Sequence, residues 1–168
     1  LAIERAVLEC AYAGCETIWI VCHDDMQPLI KHRLGDYVLD PVFLNRKRFS
    51  SEGEQYEIPI YYVPVHPKDR DKRDCLGWSV LYGALTAYWL SKTISKWVIP
   101  DRFYAAFPYG IYDPKLVQPY RKQISSRTPF CVTHLDRSVK DNEYLGFTFD
   151  GEDFKKCRKH LRKEGTGE

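Results

Sequence analysis

A glycine-led apolar run, Leu76-Gly77-Trp78-Ser79-Val80-Leu81-Tyr82-Gly83-Ala84, extends to Trp89 and breaks at Pro100-Asp101. Trp78, Leu81, Tyr82, Leu85, Tyr88 and Trp89 recur at steps of three and four, which places them along one stripe of a helix. Their expected role is core packing. Phe103-Tyr104-Ala105-Ala106-Phe107 then reads as a short buried strand, because it is apolar without alternation. The strand stops at Pro108-Tyr109-Gly110-Ile111-Tyr112-Asp113. A helix that crosses over to a returning strand belongs to an open α/β sheet, and such sheets bind ligands beyond the carboxyl ends of their strands. The rim after Phe107 is therefore where a ligand is expected.

The rest of the chain repeats this grammar. Ile3, Ala6, Val7, Cys10 and Ala11 predict a helix over residues 2 to 13, with Gly14 as its left-handed carboxyl cap. Thr17 to Cys22 is a β-branched and aromatic run, the signature of an interior parallel strand covered on both faces. His23-Asp24-Asp25 follows, and Asp24 is expected to cap a second helix ending at Gly35; metal or substrate contact is the alternative role for the three. Residues 36 to 55, with the basic Arg46-Lys47-Arg48, predict loop. Ile58 to Val65 is strand-like, and Pro59 and Pro64 assign it to an edge or a bulge. Residues 66 to 74 are nearly all charged and predict an exposed loop, placed where a mobile lid over the rim would lie. Beyond Asp113 the expectation is a helix opened by Pro114, strands at Pro129–Leu135 and Tyr144–Phe149, and a basic helix from Asp150 to Lys163 with Phe154, Cys157 and Leu161 facing inward.

A length of 168 residues suits one α/β domain with its own core. A formal net charge of +2 is too small to argue for nucleic acid or an anionic membrane, and no apolar run reaches the roughly 20 residues of a membrane span. Six cysteines form no Cys-x-x-Cys pair, so reduced thiols in a cytoplasmic setting are expected. None of the five histidines sits beside a serine or cysteine nucleophile elbow, which leaves no case for a hydrolase triad.

This order of elements resembles the sugar-phosphate nucleotidyltransferases of the glycosyltransferase-A type. Ile3-Glu4-Arg5-Ala6 is similar to the family helix that precedes a strand like Ile18-Trp19-Ile20-Val21. Leu76-Gly77-Trp78-Ser79 resembles the glycine-led helix that borders the nucleoside. Tyr109-Gly110 resembles the turn that carries a metal-binding aspartate. Ile111 stands where that aspartate is expected, with Asp113 two residues later. The resemblance implies a three-layer α-β-α sandwich around a mostly parallel mixed sheet. It also implies a nucleotide or sugar-phosphate ligand held by Gly77, Ser79, Tyr109 and Gly110, with Mg²⁺ at Asp113. The family's amino-terminal strand and phosphate loop would precede Leu1, outside this sequence, so catalysis is set against a non-catalytic interaction role. In that second role the rim from Gly77 to Asp113 would face a protein partner, a homodimer being the simplest form. Nucleic acid and membrane are not expected partners.

Overall fold

The computed structural model describes residues 1–46, 56–70, 75–96 and 99–164. It is a mixed α/β structure whose described strands form a three-stranded sheet, in the order β1-β3-β2, and a two-stranded sheet. The strands are β1 (Ile18–Cys22), β2 (Tyr37–Leu39), β3 (Glu57–Pro64), β4 (Arg102–Ala105) and β5 (Phe147–Asp150). The helices are α1 (Ala2–Ala13), α2 (Gln27–Leu34), α3 (Pro41–Arg46), α4 (Pro67–Arg70), α5 (Leu76–Ile94), α6 (Arg121–Ile124) and α7 (Gly151–Glu164). The chain divides into two compact units.

The first unit comprises Leu1–Ile18, Ile30–Tyr61 and Tyr104–Thr148. Helix α1 forms as its spacing predicts and buries Ala6, Val7, Ala11 and Ala13. It ends in a Schellman turn: Gly14 takes φ 94, its N–H donates to Ala11 O, and the Cys15 N–H donates to Cys10 O at 3.1 Å. Residues 36–46, expected as loop, instead form β2 and α3. Buried Asp40 organises them, its Oδ1 accepting from Val42 N at 2.9 Å to start α3 while its Oδ2 pairs with Arg121 at 2.8 Å. Arg46 begins the basic triplet in α3, and Lys47 and Arg48 lie outside the described residues.

Strand β3 corrects the assignment drawn from its prolines, because it is central while β1 and β2 flank it among the described strands. Its antiparallel register pairs Tyr37 with Pro59 and Val38 with Ile58, and the Ile60 N–H donates to Asp36 O. Pro59 thus occupies a pair whose N–H would face away from β2, so that ladder loses no bond to the missing donor. Strand β1 is correspondingly a sheet edge among the described strands; it buries Ile18 and Ile20 on one face, while on the other Val21 is half-buried against α5.

The helix opened by Pro114 is a 3-10 helix, Pro114–Tyr120, followed by the short α6, because Pro119 removes a donor from the middle of the run. α1 packs mainly on this 3-10 helix. The strand expected at Pro129–Leu135 is reduced to isolated bridges, Cys131 with Phe147 and His134 with Arg137. There the Thr148 hydroxyl accepts the Phe130 N–H in place of a ladder carbonyl.

The second unit comprises Trp19–Leu29, Tyr62–Phe103 and Phe149–Glu168. Helix α5 starts at Cys75, whose Sγ accepts from Trp78 N, and runs to Ile94. Its buried face is Gly83, Ala84 and Ala87, while the predicted aromatic stripe is half-buried and Trp89 is exposed. The small residues are needed because a Cβ on Gly83 would lie 2.8 Å from Val21 Cγ2. The turn before α2 is closed by His23, whose carbonyl accepts from Met26 and Gln27 and whose Nδ1 accepts from Asp25 N; Asp24 pairs with Arg70. Part of the expected charged loop is helical, as α4, and residues 71–74 lie outside the described residues. α7 packs on α5, with Phe154 half-buried. Cys157 is exposed rather than inward, and the Leu161 side chain lies outside the described ones. No described helix is long and apolar enough to cross a membrane.

Candidate functional site

The expected ligand residues fall in both units, Gly77 and Ser79 in the second and Tyr109, Gly110 and Asp113 in the first. Gly77 is an exposed first-turn residue of α5, and nothing lies within 4 Å of where its Cβ would be. Packing does not require glycine there. The Ser79 hydroxyl bonds back to Cys75 O at 3.4 Å, the local partner a hydroxyl in a first helical turn finds.

In the first unit, β4 ends at Ala105 and the chain turns through a corner at Tyr109-Gly110. Phe107 is buried and anchors this corner, and its carbonyl accepts from Arg5 Nη2 at 2.9 Å. The Arg5 guanidinium lies 4.5 Å from the centre of the Tyr112 ring, a cation–π contact that draws that ring inward. Gly110 is dictated by this arrangement, since its Cβ would lie 2.6 Å from Tyr112 Cε1. Any larger residue would push the ring off Arg5.

Under the corner sits Glu9, fully buried on α1. Tyr104 donates to its Oε1 and Tyr112 to its Oε2, both at 2.7 Å, while Arg5 Nη1 reaches Oε2 at 3.3 Å. The carboxylate is therefore satisfied by two phenols and a cation, as a buried charge must be. Burial first, and then the Glu9 carboxylate, push the Tyr104 phenol far above the usual tyrosine range. Tyr112 is raised for the same reasons, with Arg5 opposing. Both phenols stay protonated donors at neutral pH.

Two rings face outward from this framework. Tyr109 is 64% exposed and lies against Tyr144, itself 50% exposed, with ring centroids 4.9 Å apart and planes at 48°. Tyr144 in turn meets buried Phe107 edge-on at 6.0 Å. Ile111, at the tip, is 100% exposed. The corner can therefore present aromatic faces to a planar ligand without rearranging its backbone, which Arg5 already holds.

Asp113 is exposed, and its Oδ1 accepts from Lys115 N at 2.9 Å to cap the 3-10 helix. With one oxygen committed, it suits Mg²⁺ only as a single carboxylate on an ion that brings phosphate and water ligands with it. Among the described residues no group of three or more His, Cys, Asp or Glu side chains is placed to hold a metal by itself, His23, Asp24 and Asp25 included.

Arg5, Glu9, Tyr112 and Tyr144 were not among the expected site residues. The i, i+4 spacing of Arg5 and Glu9 is a readable ion-pair signal, whereas nothing local joins Tyr144 to Tyr109. No family model, curated protein or solved structure matches the chain.

Proposed function

We propose that the Tyr109–Asp113 corner binds a nucleotide or a sugar phosphate. The scaffold we propose is a nucleotidyltransferase-like three-layer α/β sandwich, and Gly77 and Ser79 are proposed as ligand contacts of the second unit in their own right. The observation that carries this reading is the exposed Tyr109–Tyr144 pair on a corner that Arg5 pins from below. Base stacking on an aromatic ring contributes about 1–3 kcal/mol, and a ring already fixed loses little entropy on binding. Asp113 would meet Mg²⁺ carried on the ligand's phosphates, and the ion would supply charge neutralisation there.

The test is thermal unfolding of the chain with each common nucleoside triphosphate and with sugar 1-phosphates, with and without Mg²⁺. A ligand at one hundred times its Kd raises stability by about 2.7 kcal/mol. Unchanged melting with all of them, together with unchanged tyrosine fluorescence, would remove the reading.

Ile111 favours a second reading, because a fully exposed isoleucine, with exposed Leu116 following it in the chain, also suits a protein contact without catalysis. In that case light scattering should show a concentration-dependent dimer that Ile111→Asp dissolves while nucleotides leave melting unchanged.

A further inference from the structure

We propose that Cys10 and Cys15 are a redox modification site, closing reversibly to an intrachain disulfide at the carboxyl end of α1. All six cysteines are free thiols in the structure, but these two are held together by the fold. The Schellman turn bonds Cys15 N to Cys10 O at 3.1 Å, and in that motif the side chains of these two positions meet. Cys15 also packs against the cluster of Ala13, Val117 and Ile124, which holds its side chain in place at the turn. Both residues keep partial exposure, so a small reagent can reach the turn.

The Cys15 thiol beside it, and then burial, hold the Cys10 thiol well above the usual thiol range. Cys15 is therefore the attacking sulfur and Cys10 the resolving one. The oxidant is a low-molecular-weight disulfide, RSSR. The Cys15 thiolate attacks one of its sulfurs, the RS–SR bond breaks, and the departing RS⁻ takes up the proton that Cys15 released. Cys10 then attacks the Cys15 sulfur of the mixed disulfide, the second RS⁻ leaves, and it takes up the Cys10 proton. Two protein thiols are oxidised and RSSR is reduced to two RSH. The closed bond adds a constraint to the helix whose Arg5 and Glu9 hold the Tyr109 corner.

The experiment equilibrates the full chain across a series of oxidised to reduced glutathione ratios, quenches with acid, alkylates free thiols and maps the peptides by mass. The expected result is that the Cys10 and Cys15 peptides lose two hydrogens together and carry no adduct, while exposed Cys131 and Cys157 acquire glutathione singly. Dithiothreitol should restore both thiols. Cys10→Ser should leave glutathione trapped on Cys15, since the resolving sulfur is gone. The proposal is overturned if Cys10 and Cys15 remain alkylatable, or carry separate adducts, at every ratio, a result that needs no variant to fold.

Discussion

Tyr104 and Glu9 stand 95 positions apart in the chain, yet the Tyr104 hydroxyl donates to Glu9 Oε1 at 2.7 Å. This bond ties the end of β4 to α1 and supports the corner that follows. Tyr104→Phe removes the phenol that donates to Oε1 and leaves part of a buried carboxylate unsatisfied, at a cost of about 1–3 kcal/mol. Glu9→Ala should cost more, about 3–5 kcal/mol, since Arg5 and two phenols then lose their common acceptor in the interior. Urea unfolding of the three proteins checks the order, and equal stabilities would show that the network carries no weight.

The same phenols predict sensitivity to alkali. Tyr104 is raised in the folded protein above the unfolded value of about 10. Below pH 10 both states hold the proton and the contribution is fully present. Above it the unfolded chain releases the proton while the folded one keeps it, so stability falls as pH rises, by about 1.4 kcal/mol per pH unit for this one group. Denaturant midpoints measured from pH 8 to 11 should decline above pH 10 in the native sequence. In Tyr104→Phe the decline should be shallower, and parallel curves would contradict the assignment.

These relationships mark where local pattern stops being informative. Helix α1 and its Gly14 cap were readable because spacing, apolar face and glycine all agree within fourteen residues. The prolines of β3 misdirected its placement, since Pro59 falls where β2 needs no donor, a register that the residues of the strand do not disclose by themselves. Residues 36–46 read as loop because Asp40, which caps α3, is stabilised by Arg121, 81 positions away. In α5 the periodicity marked a helix correctly, but the buried face is the small one, chosen by the approach of Val21 to Gly83. At the corner, Tyr109, Gly110 and Asp113 came from a short resemblance. Gly110 turned out to have a packing reason of its own, and the Tyr144 partner depends on a long-range turn that no local motif announces.

Leu135 and Asp136 both take left-handed backbone conformations, with φ 50 and 59, between His134 and Arg137, which bond each other in both directions. That is a two-residue hairpin turn of the kind that asparagine and glycine favour. A leucine there carries steric strain, and at 82% exposure it recovers little by burial. Leu135→Asn should raise stability by about 1 kcal/mol, read as a higher melting temperature. A lower one would mean that the leucine has a packing role.

Gly77 separates ligand binding from folding. Open space surrounds the position of its Cβ, and no positive φ calls for glycine at this helical residue. Alanine at an exposed helical position is favoured over glycine by up to about 1 kcal/mol, so Gly77→Ala should leave the chain as stable or more so. If α5 lies against the nucleotide through this glycine, the added methyl enters the ligand's space. The nucleotide-induced rise in melting temperature should then shrink, while the ligand-free melting temperature holds or increases. Tyr144→Ala tests the aromatic corner by itself, weakening binding there by the loss of one stacking face. A full ligand response in Gly77→Ala with a lost response in Tyr144→Ala would assign binding to the Tyr109 corner and remove Gly77 as a ligand contact. Full responses in both would remove the proposed site.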